Sequence, residues 1–273
     1  MLRPMTLFAV AVLSWLPAAP ASVERHQPSG RPSADEIARR VNTRDEGRMM
    51  SRSVMMDLVD RDGGTRRRVT KSFRKDYERE RRTVIFFLSP TNIKGTAWLT
   101  YDHGEAGRQN DQWIYLPAVR AVRRIPASDR GASFLGSDFT HEDIRTETKL
   151  ALADYTRQIV GEATVEDRHC YMVEAIPVNA QVARELGHGR VLQWIDTEIW
   201  MPRRGTYWDT AGKPLKDVVV GDIRKVQGIW TAHRFEASNR KTGHRTILHV
   251  HGVDYPATLD DILFTERGLR RGL

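Results

Sequence analysis

The chain has 273 residues, of which 40% are hydrophobic and 29% charged. This composition is typical of a folded globular protein and excludes disordered and collagen-like classes, and the length allows a core without metal or disulfide support. The single cysteine, Cys170, excludes an internal disulfide and a cysteine-based zinc cluster. The formal net charge of +8 is compatible with anionic partners but identifies none.

Residues 1–21 have the pattern of a secretory signal peptide. Arg3 precedes the apolar run Met5–Leu16, and Ala19 and Ala21 match a small-residue cleavage site. The apolar run is shorter than the roughly 20 residues that a membrane-spanning helix needs. We therefore expect cleavage after Ala21 and a soluble mature protein outside the cytoplasm. No cysteine lies near the cleavage site, so we expect no lipid anchor.

A flexible leader and one helix are predicted next. Residues 22–32 are polar and contain prolines, so we expect a mobile leader before a single domain over residues 33–273. Ser33 and Glu36 form a capping-box pattern, and apolar residues at helical spacing follow it. The pattern predicts a helix from Ala34 to Arg44.

Beyond this helix the hydrophobic period changes to two, which predicts strands. Val54, Met56 and Leu58 alternate with their neighbours before a turn at Asp62-Gly63-Gly64. The further strand-like runs are Arg67–Tyr77, Thr83–Leu88, Thr96–Tyr101, Gln112–Leu116, Tyr155–Val160, Cys170–Ile176, Val191–Met201, Thr206–Trp208, Leu215–Ile223, Trp230–Ala237 and Thr246–Val253. Crossover helices are missing between them, which favours an antiparallel meander over a parallel α/β sheet.

Several predicted strands are apolar on both faces. In one of them Val84 and Phe86 point one way, while Ile85 and Phe87 point the other way. A sheet with one face in water would carry polar residues on that face. The sheet therefore curls around an apolar interior that holds a ligand, or loops cover a well-packed core, and the pattern is compatible with both.

No catalytic or metal-binding constellation is legible. His249 and His251 share one strand face and could present two imidazoles, but no third ligand is identifiable. Asp196 and Glu198 are interpreted as a solvated strand face, and no serine-hydrolase elbow or nucleotide-binding motif occurs. We expect no enzymatic activity, metal or cofactor; an exported hydrolase using the two histidines is the rival hypothesis.

Cationic side chains form two groups along the chain. Residues 61–82 hold ten Arg or Lys against four Asp or Glu, and four more arginines follow at Arg120, Arg123, Arg124 and Arg130. Such rows protect exposed strand edges from aggregation or bind acidic partners and anionic lipid headgroups. We predict that Arg120, Arg123 and Arg124, here named the second cationic group, contact a partner or a headgroup. A nucleic-acid partner is not expected for an exported protein.

Three segments carry a resemblance to a known family. Asp111–Ile125, Ser133–Asp143 and Trp194–Pro202 are similar to the signature of the LolA-like outer-membrane lipoprotein-sorting proteins, in the branch often encoded beside RND-type exporters. The resemblance implies a mainly β fold with a few helices, an incomplete antiparallel β-barrel (LolA/LolB-like). An N-terminal helix and loop helices would cover this half-barrel, spanning residues 33–273, around an apolar cavity.

The same resemblance implies a function without chemistry. The expected role is a periplasmic carrier or chaperone that shelters acyl chains of a lipoprotein or another lipid during transport toward the outer membrane, with transient membrane contact. The alternative is an accessory or sensor module that docks to an RND-type inner-membrane exporter without carrying lipid.

Aromatic side chains are the candidates for lipid contact. The predicted cavity residues are Phe86, Phe87, Trp98, Trp194, Trp200, Phe134, Leu135 and Phe139. Three of them lie in a glycine-containing loop too irregular for a strand, which we interpret as an apolar lid anchored by Asp138. Asp138 or Thr140 is expected to cap a short helix that begins near His141.

Overall fold

One antiparallel sheet organises the described part of the chain, residues 30–103 and 110–273 of a computed structural model. The predicted signal peptide (1–21) and residues 22–29 of the predicted leader lie outside the described residues. Pro32–Leu273 form one unit. None of the helices in the described ranges combines the length and the apolarity needed to cross a bilayer.

Thirteen strands and four α-helices build this unit within the described ranges. The strands are β1 (Met49–Val59), β2 (Thr65–Asp76), β3 (Arg81–Ser89), β4 (Ala97–Asp102), β5 (Asp111–Leu116), β6 (Ala121–Ile125), β7 (Tyr155–Val165), β8 (Arg168–Pro177), β9 (Arg190–Asp196), β10 (Pro202–Trp208), β11 (Pro214–Val226), β12 (Ile229–Asn239) and β13 (Arg245–Asp254). The helices are α1 (Ala34–Thr43), α2 (His141–Thr146), α3 (Ala180–Leu186) and α4 (Glu266–Arg271).

The strand order shows an unclosed barrel. It runs β6-β5-β4-β3-β2-β1-β13-β12-β11-β10-β9-β8-β7, so β1 pairs with β13 in the middle and β6 and β7 are the two edges. Every pairing is antiparallel, the central β1–β13 pairing included. All pairings except this central one join strands that are neighbours in the sequence. The predicted incomplete antiparallel barrel is therefore confirmed.

Helix α1 forms where its sequence predicts it. Ser33 Oγ accepts a hydrogen bond from the amide of Glu36 at 3.1 Å, which satisfies one of the free N–H groups of the first turn. Glu36 uses its carboxylate for Arg40 instead of the Ser33 amide, so only half of the predicted capping box forms. Ile37 and Val41 are fully buried and pack in a cluster with residues of β8 and β9.

The run Val191–Met201 is not one strand, which corrects the sequence prediction. Strand β9 ends at Asp196, because the Asp196 carboxylate accepts hydrogen bonds from the amides of Glu198 and Ile199 and holds a turn. Asp196 is fully buried and also binds Arg168 and Arg203, so it is not part of a solvated face. Strand β6 and helices α3 and α4 are short elements that the sequence patterns did not predict.

The two apolar faces of β3 have different covers. Ile85 and Phe87 belong to the cluster on the inner face of the curved sheet. Val84 and Phe86 belong to a cluster on the outer face, where Phe264 and Leu269 near the C-terminus are fully buried against them. The C-terminal segment therefore covers the outer face of β3 and β4.

A buried carboxylate joins α1 to the sheet. Glu46 lies between α1 and β1 and forms ion pairs with Arg44, Arg81 (2.6 Å) and Lys149 (3.4 Å). Burial alone would raise the pKa of Glu46, but the charges of Arg44, Arg74 and Arg81 outweigh it and lower this pKa to about 2.

We expect this carboxylate to make stability depend on acidity. Because the pKa is lowered in the folded state, its contribution is present above the ordinary value near 4.5 and is lost as pH falls toward 2. Glu46→Gln should lower the free energy of unfolding at neutral pH by on the order of 3 kcal/mol and flatten its decline in acid. Urea unfolding at several pH values measures this. The exposed pair Glu36–Arg40 supplies the control, since Glu36→Gln should cost less than about 1 kcal/mol. Equal acid slopes for Glu46→Gln and the unaltered protein would contradict the assignment.

Candidate functional site

An apolar cavity lies on the inner face of the sheet. The cavity has a volume of about 110 Å³. Its apolar wall comes from β1, β3, β11, β12 and β13, through Val54, Met56, Ile85, Val218, Val220, Phe235, Leu248 and Val250. Helix α2 and residues 147–151 form the opposite wall. The cavity therefore separates the curved sheet from the segment that crosses its concave side.

Residues 133–140, here named the aromatic loop, close the cavity on one side. An isolated bridge joins Ser133 to Thr140, and the Phe134 amide donates to the Phe139 carbonyl at 2.8 Å. The Phe134 ring is 1% exposed and lies 5.6 Å from the Trp98 ring and 6.1 Å from the Phe87 ring. Apolar packing thus holds the Phe134 ring against the inner face.

Polar contacts fix the backbone of the aromatic loop. Asp138 accepts a hydrogen bond from Thr246 Oγ1 at 2.7 Å, and its amide donates to the same oxygen at 3.0 Å. Arg68 donates to the Leu135 carbonyl at 2.7 Å. Thr140 caps α2 in a complete capping box with Asp143, so the cap is Thr140 and not Asp138. Asp138 therefore joins the loop to β13, in the position where an anchoring role was predicted.

Five of the eight predicted cavity residues lie in or against the inner cluster. Phe134 and Phe139 line the cavity itself. Phe87 and Trp98 are buried behind Phe134 in the same cluster, and Leu135 packs partly against it. The first two are therefore in direct reach of a ligand, while the others shape the wall behind them.

The other three lie away from the cavity. Phe86 is on the outer face of β3, because neighbouring residues of a strand point to opposite faces. Trp194 lies beneath the guanidinium of Arg204 at 5.1 Å. Trp200, beyond the Asp196 turn, stacks on Tyr171 at 6.3 Å. None of these three side chains lines the cavity.

The second cationic group lies at an edge of the sheet. Arg120, Arg123 and Arg124 are exposed at the start of β6 and within it, and none lines the cavity. Arg124 is paired with Asp111 of β5. Contact of this group with a partner or a headgroup stays a prediction.

The histidine pair of β13 is not part of a metal cluster in the described ranges. His249 Nε2 lies 3.8 Å from a carboxylate oxygen of Asp57, and His251 is exposed. No group of three His, Cys, Asp or Glu side chains suited to a metal ion occurs among the described residues. The arrangement therefore gives no geometric support to the hydrolase hypothesis.

A polar cluster interrupts the apolar lining, and the sequence patterns did not reveal it. Tyr155 and His188 line the cavity and are joined by a hydrogen bond of 2.8 Å between Tyr155 Oη and His188 Nε2. Burial, with a smaller effect of the nearby Lys216 charge, lowers the pKa of His188 to about 4, so this imidazole is neutral at neutral pH. Asp143 accepts a hydrogen bond from Lys216, whose charge lowers the pKa of Asp143 against the effect of burial. Tyr207 completes the cluster, with its ring 5.1 Å from that of His188.

Thr246→Val tests how the aromatic loop is held. The substitution keeps the side-chain shape but removes the hydroxyl that binds Asp138, so we expect faster hydrogen exchange at the amides of Phe134 and Ser137 and a loss of about 1–2 kcal/mol of stability. Thr100→Val is the matched control, because the buried Thr100 hydroxyl has no hydrogen-bond partner among the described residues. Unchanged exchange in the Thr246 variant, measured by mass spectrometry, would contradict this role.

A family model and three solved structures relate this chain to known proteins. The model, described only as an uncharacterized protein, matches residues 79–271. A DUF1329 family protein from Desulfovibrio piger is 25% identical, with a TM-score of 0.78, over 86% of this chain and 97% of that chain. A putative outer membrane lipoprotein-sorting protein domain from Vibrio parahaemolyticus is 24% identical, with a TM-score of 0.78, over 87% and 98%. A LolA superfamily protein from Nitrosomonas europaea is 19% identical, with a TM-score of 0.64, over 86% and 99%.

No protein with a curated description matches the chain. The two less similar structures, below 25% identity, show the shared fold. The family model covers well over half of the chain. The chain therefore belongs to the family of uncharacterized proteins that this model describes, and the DUF1329 and LolA superfamily structures share its fold.

Proposed function

We propose that the protein is a periplasmic carrier that shelters acyl chains of a lipoprotein or another lipid during transport toward the outer membrane. The observation that carries this proposal is the cavity between the apolar inner face and a loop that contributes two phenylalanine rings. The signal-peptide pattern of residues 1–21 and the lipoprotein-sorting description of the Vibrio relative support it.

The energetics of an acyl chain explain why a carrier needs such a cavity. Exposing one methylene to water costs about 0.8 kcal/mol, so a chain of roughly sixteen carbons costs on the order of 12 kcal/mol in the aqueous space between two membranes. Apolar side chains of Val, Leu, Met and Phe offset that cost without directional bonds. The ligand can therefore leave again once a membrane or a partner accepts it.

The size of the cavity requires the aromatic loop to move. About 110 Å³ is well below the roughly 300–1,000 Å³ typical of sites that enclose a drug-sized ligand. Phe134 and Phe139 occupy the adjoining space, and displacing them extends the cavity along the inner face. The aromatic loop then acts as a lid, which the packing of the Phe134 and Phe139 rings keeps closed.

The lid is held by two buried aromatic rings and by hydrogen bonds that water can replace. Asp138 and Arg68 bind the loop from one side, and opening exposes these polar groups to solvent at modest cost. The apolar cost of opening comes from the Phe134 and Phe139 rings, which are 1% and 4% exposed. An arriving acyl chain covers the same apolar wall, which compensates for that loss.

Lipid analysis of the protein purified without detergent from its natural compartment tests the function. We expect mass spectrometry of solvent extracts to find an acyl lipid or a lipoprotein fragment in amounts comparable to the protein. A consistently empty cavity would contradict the carrier role and favour the alternative, a module that docks to an RND-type exporter without lipid.

Phe139→Ala should open the cavity. Removing this ring, 4% exposed in the lining, is expected to speed the uptake of a fluorescent long-chain acyl probe and raise its affinity, while lowering stability by about 3–5 kcal/mol. Phe264→Ala is the matched control, because Phe264 is fully buried on the outer face and its loss should cost similar stability without changing probe uptake. Equal uptake by the two variants in stopped-flow fluorescence would contradict the role of Phe139.

A further inference from the structure

One wall of the cavity carries hydrogen-bond donors. Within the polar cluster, Tyr155 is already engaged, because His188 Nδ1 is 3.1 Å from the Leu186 carbonyl and takes the donor role there. His188 Nε2 is then the acceptor, and the Tyr155 hydroxyl donates to it at 2.8 Å. The Tyr155 hydroxyl and both ring nitrogens of His188 are therefore already paired.

Tyr207 differs from Tyr155 in this respect. It lines the cavity, and its hydroxyl has no hydrogen-bond partner among the described residues. Gly205 also lines the cavity, and a Cβ there would lie 3.0 Å from Tyr207 Cε2 and 3.5 Å from Tyr207 Oη. Because Gly205 has no side chain, the Tyr207 ring can lie close to the backbone of Gly205 on the cavity wall. This placement presents a free O–H donor to the interior.

Lys216 lies behind Tyr207 and is not among the side chains that line the cavity. Its ammonium lies 5.0 Å from the Tyr207 ring and binds the Asp143 carboxylate. Lys216 thus holds Asp143 beside the Tyr207 ring, and the donor that reaches the cavity is the Tyr207 hydroxyl.

The neighbouring charges decide which acceptor fits. Asp143 already neutralises Lys216, and Glu142, paired with Arg145, also lines the cavity. Both cations are therefore already paired with a carboxylate, and neither is left to bind an incoming anion beside Tyr207. Burial, together with Asp143 and Glu142, raises the pKa of Tyr207, so its hydroxyl stays protonated and remains a donor. A neutral oxygen acceptor is therefore favoured over a carboxylate or a phosphate.

We propose that Tyr207, supported by Lys216, is a subsite for the ester or amide carbonyl of an acyl group. This inference rests on the proposed carrier function and adds the ligand class, since it distinguishes an acyl chain from a plain alkyl chain. The carbonyl would fix the depth to which the chain enters the cavity. An alkyl ether of the same length would leave the buried donor unpaired.

A matched lipid pair tests the subsite. Monolauroylglycerol and its alkyl ether, dodecylglycerol, share chain and headgroup and differ in the carbonyl. We expect the protein to bind the ester about threefold to tenfold more tightly than the ether, which is the ratio that one buried hydrogen bond provides. Tyr207→Phe should abolish this preference and leave ether binding unchanged. Tyr115→Phe, a change on the outer face of the sheet away from the cavity, should keep it.

Each outcome separates the subsite from the carrier function. Binding of both lipids with no Tyr207-dependent preference overturns the subsite and leaves the carrier proposal standing. Binding of neither lipid to the unaltered protein overturns both. A Tyr207-dependent preference for laurate over the ester overturns the assignment to a neutral carbonyl.

Infrared spectroscopy tests the same contact without a variant. The stretch of a carbon-13-labelled ester carbonyl should shift to lower frequency on binding to the unaltered protein. A band at its position in an apolar solvent would show that the carbonyl accepts no hydrogen bond, and would overturn the proposal.

Discussion

A curved sheet that is apolar on both faces and does not close must be covered twice. The β1–β13 pairing joins the two ends of the strand sequence and places β6 and β7 at separate edges. On the outer face the C-terminal segment inserts Phe264 and Leu269 and fills the space, because these side chains meet a convex surface at close range. On the concave face, helix α2 and the aromatic loop leave a cavity of about 110 Å³. The outer face is thus filled, while the inner face keeps an apolar space.

The inner cover is attached by polar contacts as well as by the buried rings of Phe134 and Phe139. Helix α2 is held by the Asp143–Lys216 pair, the following residue Glu147 by Arg52, and the aromatic loop by Thr246 and Arg68. Buried polar pairs fix a geometry but contribute little net stability, since each must lose its hydration. A cover attached in this way keeps its position when closed, and an apolar ligand that enters replaces the contacts that Phe134 and Phe139 lose on opening. Such a cover suits a carrier that must both hold and release.

The sequence predicted the strands and the first helix better than it predicted the face of the sheet on which each side chain lies. Period-two alternation located most strands, and Ser33 marked the start of α1 through a local hydrogen bond. Where both faces of a strand are apolar, however, alternation cannot tell which face is concave, so Phe86 and Phe87 were equivalent candidates. Trp200 was assigned to a strand, because the buried arginine partners that turn Asp196 into a strand terminator are distant in sequence. The aromatic loop was recognisable because its aromatic residues stand among glycines.

The polar cluster shows why part of the site is outside the reach of sequence patterns. Asp143, His188, Tyr207 and Lys216 come from α2, the segment before β9, β10 and β11, and only the register of the sheet brings them together. Each residue alone resembles an ordinary surface residue, since Tyr207 and Lys216 sit among charged neighbours. Their role depends on where the fold places them, because a donor on an apolar wall has few hydrogen-bond partners other than a ligand. A cavity built from apolar contacts alone would select chain length and little else, whereas one neutral donor, the Tyr207 hydroxyl, adds recognition of chemistry without a charge that would slow release.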